Sequence, residues 1–286
     1  MDLPMTLPPL DIPSLLHQHG LRPDKSLGQN FLTDHVSLLK VVEASELQPH
    51  DRVLEIGAGI GNLTRQLAIR TQKVVAVELD KRLLPALHQV LAPFTNVKIV
   101  QGDILSIPDY ELLKPLSQGS YQVVANIPYY ITSAVIRRLL EFTPPPTRIC
   151  LTIQWEVAER ICAEPGELSL LALSVQLYGY PRITARIPAG AFYPPPKVDS
   201  AVVRVDLHPQ PLIPFEQIEA FFKLAKAGFG QKRKTLRNAL VNGLHLPALQ
   251  VENLLASASI APQRRAETLD LTEWKLLTDR YLSSCQ

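Results

Sequence analysis

Four consecutive residues after a short apolar run combine two hydrogen-bond acceptors, a rigid proline and an aromatic ring. They are Asn126, Ile127, Pro128 and Tyr129. The exocyclic amine of a purine is a poor nucleophile because its lone pair is delocalised into the ring. The Asn126 amide oxygen and the Ile127 carbonyl, held by the fixed φ of Pro128, can accept both amine hydrogens and favour a tetrahedral nitrogen. Tyr129 can stack on an extruded base, so the motif predicts chemistry at an exocyclic base nitrogen, with a chance turn as the alternative.

A glycine-rich segment lies earlier in the chain. The apolar run Val53–Ile56 leads into Gly57, Gly59 and Gly61, with the acid Glu55 two residues ahead of the first glycine. Glycine is needed in such a turn because a Cβ atom would block close approach of a ligand to the backbone. The G-x-G-x-G spacing is typical of methyltransferases, which predicts cofactor contacts at Gly57 and Gly59. A dinucleotide enzyme or a purely structural turn is the alternative.

Two acids follow the next two apolar runs. Glu78 stands 21 residues after Gly57, where a carboxylate can accept hydrogen bonds from both ribose hydroxyls of a nucleoside. Asp103 is placed to accept a hydrogen bond from the adenine amino group of the same nucleoside, which would be part of the cofactor. A solvated strand-end acid is the alternative for Glu78, and we expect Asp80 and Asp109 to be cap or surface residues.

A proline-rich loop, Phe192–Ser200, precedes a further apolar run. It could present Phe192 to the face of the target base opposite Tyr129, which would make Phe192 a catalytic residue. Alternatively, Phe192 belongs to the core and the prolines only end a segment.

Basic residues are concentrated in the C-terminal part of the chain. Those predicted to bind RNA phosphates are Lys223, Lys226, Lys232, Arg233, Lys234 and Arg237. Such contacts would make binding salt-dependent. A solvated helix face is the alternative, and the net charge of +2 is too small to decide between the two.

The elements that must position these residues follow an alternating pattern. Short apolar runs separated by helical stretches predict strands at Val53–Ile56, Val74–Val77, Val97–Val100, Tyr121–Ala125 and Ile149–Ile153. Such alternation predicts a parallel sheet covered by helices on both faces. The runs at 182–187 and 201–207 predict an antiparallel hairpin at the sheet edge, and the chain after Phe215 is predicted to be helical. We therefore predict a flexible arm over residues 1–24 with a short helix at 12–18, a catalytic domain over 25–208 and a helical RNA-contacting domain over 209–286.

The composition indicates a globular protein of this size. The residues are 46% hydrophobic and 20% charged, as in ordinary globular proteins. The length of 286 residues is enough for one large domain and one small one. Cys150, Cys162 and Cys285 form no zinc-like spacing, and the seven histidines share no ligand spacing, so no metal is expected. The absence of a basic leader with an apolar stretch, and of a long apolar run, predicts a cytoplasmic protein without membrane contact.

With these residues in place, the sequence resembles the KsgA family of small-subunit ribosomal RNA adenine N6,N6-dimethyltransferases from about Lys25 to Leu269. The segments that carry the resemblance are Lys25–Leu32, Glu55–Thr64, Val77–Asp80, Gly102–Ile104, Asn126–Tyr130, Phe192–Ser200, Arg233–Leu236 and Arg265–Leu269. The resemblance implies an α/β, Rossmann-like class I methyltransferase domain with a small all-helical C-terminal domain. It also implies that Asn30 and Leu32 close over the methionine end of S-adenosylmethionine, with Gly57, Glu78, Asp103 and Asn126 completing the cofactor site.

The implied substrate is a pair of adjacent adenines in the hairpin near the 3′ end of 16S rRNA, within an assembling 30S subunit, and a monomer suffices. The sequence departs from the family at Trp155, where lysine is common, and over Ala163–Ser169, which puts local substrate contacts in doubt. Three alternatives remain: a resistance-type 23S rRNA adenine methyltransferase, a non-catalytic RNA-binding assembly factor, and a DNA adenine methyltransferase. The intact Glu78, Asp103 and Asn126 argue against the non-catalytic factor.

Overall fold

A computed structural model describes residues 7–284, which form two compact units. Among these residues, the first unit comprises 7–158 together with Pro181–Leu207, and the second comprises Glu159–Tyr180 and 208–284. The strands are β1 Phe31–Leu32, β2 Arg52–Ile56, β3 Lys73–Glu78, β4 Val97–Gln101, β5 Gln122–Asn126, β6 Arg148–Gln154, β7 Gly179–Ile187, β8 Phe192–Tyr193 and β9 Ser200–Leu207. The helices are α1 Ile12–Gln18, α2 His35–Ser45, α3 Asn62–Ala68, α4 Leu84–Leu91, α5 Asp109–Leu113, α6 Thr132–Glu141, α7 Trp155–Ile161, α8 Leu170–Gln176, α9 Ile218–Phe229, α10 Leu236–Leu244, α11 Ala248–Ser257 and α12 Leu271–Ser284.

A seven-stranded sheet organises the first unit, in the order β4-β3-β2-β5-β6-β9-β7. Strands β2 to β6 pair in parallel, and β9 runs antiparallel to β6 with Gln154 opposite Ser200. The carboxyl ends of the five parallel strands therefore meet at one edge. The predicted α/β architecture, and the two further strands at one side of the sheet, are confirmed.

The apolar runs form strands because both faces of the central sheet are covered. Val53, Leu54, Val74 and Val75 are fully buried, as expected for a parallel sheet enclosed between helical layers. By contrast, the side chains of the edge strand β7 alternate between exposed and more buried positions. The central strands thus form a rigid base for the loops that follow their carboxyl ends.

Helix α2 is capped at its first turn and fixed to the sheet at its C-terminal end. Asp34 caps the first turn by accepting a hydrogen bond from Ser37 N at 2.8 Å. At the other end, Arg148 donates to the Ser45 carbonyl and Arg204 to the Ala44 carbonyl, at 2.6 and 3.3 Å. These guanidinium groups satisfy carbonyls that the last helical turn leaves without intrahelical partners.

The helix predicted near residues 12–18 is present as α1. Ile12 and Leu16 are buried with Phe31 and Ile60, so residues 7–24 pack against the first unit and do not form the free arm that we expected. The first six residues of the predicted arm lie outside the described residues. The apolar spacing of this segment, rather than its prolines, decides its packing.

The second unit is helical, as predicted, but it begins before residue 209. Leu173 and Leu177 share a core with Phe221 and Trp274, and Leu212 N donates to the Leu177 carbonyl at 3.0 Å. Residues 159–180, assigned above to the catalytic domain, therefore belong to the second unit because their apolar side chains pack there. No helix within residues 7–284 is both long enough and apolar enough to span a membrane.

Candidate active site

A cavity lies at the carboxyl ends of the parallel strands of the first unit. It brings together residues from five separate segments, the N-terminal loop and the loops after β2, β3, β4 and β5. The residues predicted to act there that line the cavity are Asn30, Gly57, Gly59, Glu78, Asp103, Asn126, Ile127, Pro128 and Tyr129. This is the position at which doubly wound α/β sheets bind their ligands.

The glycine turn forms one wall of the cavity. Gly57, Gly59 and Gly61 have φ angles of 76°, 61° and 90°, a region that side chains with a Cβ rarely adopt. A Cβ on Gly59 would lie 3.1 Å from the ring of Phe31. Gly61 then begins α3 from a left-handed conformation. The turn thus requires glycine because of its backbone conformation and because there is little room for a Cβ atom.

Glu78 connects the end of β3 to this turn. Its carboxylate accepts hydrogen bonds from Gly59 N at 2.6 Å and from Asp80 N at 2.7 Å, and only 6% of the residue is exposed. Burial raises the pKa of Glu78, although the two backbone donors act in the opposite direction. Each carboxylate oxygen keeps a lone pair for a second donor, so Glu78 can still accept from ligand hydroxyls.

Asp103 follows β4 on the same side of the cavity. One of its carboxylate oxygens accepts from Leu105 N at 2.9 Å, and the described residues provide no partner for the other. Leu79 and Ile104, which directly follow Glu78 and Asp103, add apolar walls beside the two acids. Neither residue was predicted as part of the site, although an apolar residue directly after each strand-end acid was a visible signal.

Asn126 is oriented by the N-terminal segment. Its Nδ2 donates to the Asn30 carbonyl at 3.1 Å, and its Oδ1 has no partner among residues 7–284. The Ile127 carbonyl likewise accepts no backbone hydrogen bond there. Two acceptor oxygens from adjacent residues therefore remain free to receive hydrogens from a ligand.

Tyr129 lines the cavity and is fixed through its hydroxyl group. Its Oη lies 2.6 Å from Ser200 Oγ, and Ser200 is completely buried on β9. Burial raises the pKa of the Tyr129 phenol, so the ring is neutral at physiological pH. Its neighbour Tyr130, which the sequence argument left out of the site, also lines the cavity and is 62% exposed.

Two predicted site residues do not reach the main cavity. Leu32 is 5% exposed and belongs to the hydrophobic core, and it lines only a smaller adjacent cavity. Phe192 is 3% exposed in the same core, where it pairs with Leu32 across the β1–β8 ladder. The structure therefore corrects the expectation that Phe192 faces the base, because long-range pairing holds its ring inside.

A polar network holds the N-terminal loop beside the cavity. Arg82 forms ion pairs at 2.7 Å with both Asp24 and Asp80, and Gln29 donates to Asp80 at 2.9 Å. Asp80 also caps the turn at Lys81–Leu83, as expected of a cap residue. Gln29 lines the cavity, and neither its position nor this network was predicted.

Glu55, the acid of the glycine motif, is fully enclosed behind the turn. The residue is 1% exposed, and neither carboxylate oxygen has a hydrogen-bond partner within the part of the chain that the structure describes. Burial raises its pKa to about 8, and the nearby Glu78 acts in the same direction. Glu55 is therefore protonated at neutral pH.

The predicted RNA-binding residues of the second unit differ in their surroundings. Lys226, Lys232 and Lys234 line one cavity of about 430 Å³. Arg265, a further member of the basic stretch in the sequence, and Arg160, which was not predicted to bind RNA, line the same cavity together with the acids Glu167 and Glu267. The other three predicted residues do not line this cavity. The Lys223 ammonium lies 5.5 Å from the centre of the Tyr281 ring, Arg237 pairs with Glu252 at 2.6 Å, and Arg233 is exposed. Some of the basic residues that are close together in the sequence therefore line one cavity, here called the basic cavity, and the others have different surroundings.

Comparison with known proteins gives a consistent result. Residues 20–277 match the model of the family described as ribosomal RNA adenine dimethylase. Proteins named ribosomal RNA small subunit methyltransferase A are similar over nearly the whole chain. The one from Dehalococcoides mccartyi is 46% identical, covering 92% of this chain and 90% of its own. The one from Pelotomaculum thermopropionicum is 40% identical, covering 96% and 97%.

Two solved structures are similar to most of the chain. A dimethyladenosine transferase from Plasmodium falciparum matches with a TM-score of 0.77 at 25% identity, covering 89% of this chain and 98% of its own. The 23S rRNA methyltransferase ErmE matches with a TM-score of 0.70 at 28% identity, covering 88% and 99%.

Proposed function

Since this chain belongs to the ribosomal RNA adenine dimethylase family, it is an rRNA adenine dimethyltransferase that uses S-adenosylmethionine, and we propose that it dimethylates two adjacent adenines in the 3′-terminal hairpin of 16S rRNA. The observation that carries the proposal is the pair of free acceptor oxygens at Asn126 and Ile127 beside Tyr129. An adenine amine has two hydrogens to donate, and this motif offers two acceptors next to an aromatic ring.

The residues that line the cavity fit S-adenosylmethionine in their chemistry. Gly57 and Gly59 keep the turn free of side chains beside Asn126 and Phe31, and Glu78 and Asp103 provide carboxylates at adjacent strand ends. We propose that Asn30, Gly57, Gly59, Glu78, Asp103 and Asn126 hold the cofactor. The bound cofactor supplies an electrophilic methyl group.

The residues of the chain prepare the amine and position it. Asn126 Oδ1 and the Ile127 carbonyl accept the amine hydrogens, which localises the nitrogen lone pair and favours a tetrahedral nitrogen. Pro128 fixes the backbone angle between these acceptors and Tyr129, whose ring supports the extruded base. Proximity and orientation therefore lower most of the barrier, and the nitrogen would release its proton to solvent after it has gained the methyl group, so no acid–base pair is required.

We propose that the basic cavity of the second unit binds RNA phosphates. Lys226, Lys232, Lys234 and Arg160 would each displace condensed counterions, so affinity should fall steeply with salt, whereas Arg265 is paired with Glu267 at 3.6 Å. Residues 159–180 with 208–286 thus form the RNA-contacting domain, and residues up to 158 with 181–207 form the catalytic domain. The proposed substrate is the 30S subunit during its assembly in the cytoplasm, bound by one copy of the chain.

A 23S rRNA adenine methyltransferase is the second candidate, favoured by the likeness to ErmE. The small-subunit proposal is supported by the higher identities, 38–46%, to relatives named for the small subunit. The deciding experiment transfers radiolabelled methyl groups to 30S subunits lacking adenine dimethylation and, in parallel, to deproteinised 23S rRNA. Label mapped as N6,N6-dimethyladenine in the 30S hairpin is expected. Label on 23S rRNA alone would replace the proposal with the second candidate.

A further inference from the structure

A stacked pair of side chains lies on the first unit outside the cavity. The Arg186 guanidinium is 4.9 Å from the centre of the Trp155 ring, the distance of a cation–π contact. Asp199 fixes the guanidinium by accepting from its Nε at 3.0 Å and pairing with its Nη2 at 2.8 Å. The other Asp199 oxygen accepts from Ala189 N at 2.9 Å, so the carboxylate itself is held by the backbone.

Hydrogen bonds and neighbouring residues along the chain connect this pair to the acceptor motif, Asn126–Tyr129. Trp155 N donates to the Asp199 carbonyl at 3.0 Å, and the next residue, Ser200, binds the Tyr129 hydroxyl at 2.6 Å. In the sheet, Asn126 stands opposite Thr152, three residues before Trp155. Through these contacts the pair is connected to Tyr129, the residue proposed to support the target adenine.

The surroundings of Arg186 favour a base over a phosphate. Its side chain remains 62% exposed although Asp199 holds it, so one part of the planar group is available to a partner. The adjacent Asp199 carboxylate neutralises the positive charge and would repel a phosphate. Planar guanidinium and indole groups stack on the faces of unpaired bases, and such stacking is largely independent of base identity.

We propose that Trp155 and Arg186 form a stacking platform for an unpaired RNA base that flanks the target adenine. This inference rests on the proposed function, because a flanking base is present only if the substrate is RNA. The platform positions the substrate and takes no part in the methyl transfer itself. It gives a role to Trp155, a residue that the function proposed above does not use.

The test compares conservative variants in methyl transfer to 30S subunits lacking adenine dimethylation. Arg186→Lys keeps the charge but loses the plane, and Trp155→Leu keeps apolar volume but loses the ring. For both, KM for 30S should rise about 10-fold with turnover within about twofold, as loss of one stacked base predicts. Trp155→Phe should restore most of the affinity. The matched control is Arg182→Lys, on the same exposed face of β7 and paired with Asp206 at 3.4 Å, which should leave KM unchanged.

Cofactor affinity and thermal stability separate positioning from a structural role. Both should match the wild type in Arg186→Lys. An unchanged KM in Arg186→Lys and Trp155→Leu, with active wild-type enzyme, would overturn the platform and leave the proposed function intact. A parallel loss of cofactor affinity would also overturn it, since the pair would then act through the fold. Wild-type enzyme without activity on 30S subunits would refute the proposed function, and the platform with it.

Discussion

Replacing Asn126 with alanine should reduce methyl transfer strongly while leaving cofactor binding nearly intact. The substitution removes one of two acceptors for the amine hydrogens, and the Ile127 carbonyl remains. Loss of one oriented polar group at a reacting centre costs about 2.7–4 kcal/mol in the transition state, or about 10²–10³ in turnover. Because the second acceptor survives, we expect the lower end of this range, about 100-fold.

The ground state should change much less. Asn126→Ala also removes the 3.1 Å hydrogen bond to the Asn30 carbonyl, which contributes about 1 kcal/mol to stability. Asn126 is one of six residues proposed to hold the cofactor and the carboxylates of Glu78 and Asp103 are untouched, so cofactor affinity should stay within a few fold of the wild type. The assay is single-turnover methyl transfer at saturating S-adenosylmethionine, with cofactor affinity measured by calorimetry.

Asn96 offers a matched control for the lost amide. Its Nδ2 donates to the Ala68 and Thr71 carbonyls at 2.8 and 2.9 Å, and it does not line the cavity. Asn96→Ala should therefore lower stability at least as much as Asn126→Ala while keeping wild-type turnover. Turnover of Asn126→Ala within threefold of the wild type would refute the acceptor mechanism.

Three further predictions concern the structure around the site. Gly59→Ala should lose about 1–2 kcal/mol of stability and most cofactor affinity, because φ is 61° there, whereas Gly190→Ala, with open space for a Cβ, should be near neutral by thermal unfolding and calorimetry. The folded-state pKa of Glu55 is raised to about 8. Its contribution to the free energy of unfolding is therefore fully present below its unfolded pKa and is lost as pH rises toward 8. Urea unfolding should show the wild type losing stability relative to Glu55→Gln from pH 5 to pH 8, and a constant difference would refute this. Arg204→Leu removes a buried guanidinium whose partners Glu46 and Asp206 are 59% and 34% exposed, so it should cost about 2 kcal/mol in the same assay, against less than about 0.5 kcal/mol for the exposed Arg137→Ala.

Much of the site could be predicted from sequence because its residues follow strands. Gly57, Glu78, Asp103 and Asn126 each come at or just after the end of an apolar run. Once those runs form one parallel sheet, their carboxyl ends lie at a common edge, whatever the details of packing. The chemistry of each residue type then indicates its role, so local pattern and a general rule of topology suffice.

The surroundings of charged side chains could not be predicted in this way. The basic run near residue 233 reads as one patch, yet Lys226 and Lys232 line a cavity while Arg237 is paired with Glu252. The partner in this pair is 15 residues away in the sequence. A charge count cannot show which cations are already paired, because pairing depends on how the helices pack.

The sequence by itself determined the fold class, the glycine turn, the strand-end acids and the acceptor motif, since each depends on residues close together in the chain. The tertiary structure decided which side chains face the cavity. Phe192 lies in the core because β8 pairs with β1, and the Asn126 amide is oriented by a carbonyl 96 residues away. Residues 159–180 join the helical unit because their apolar side chains complete its core. Such choices depend on the free energy of contacts between distant segments, which no local pattern encodes.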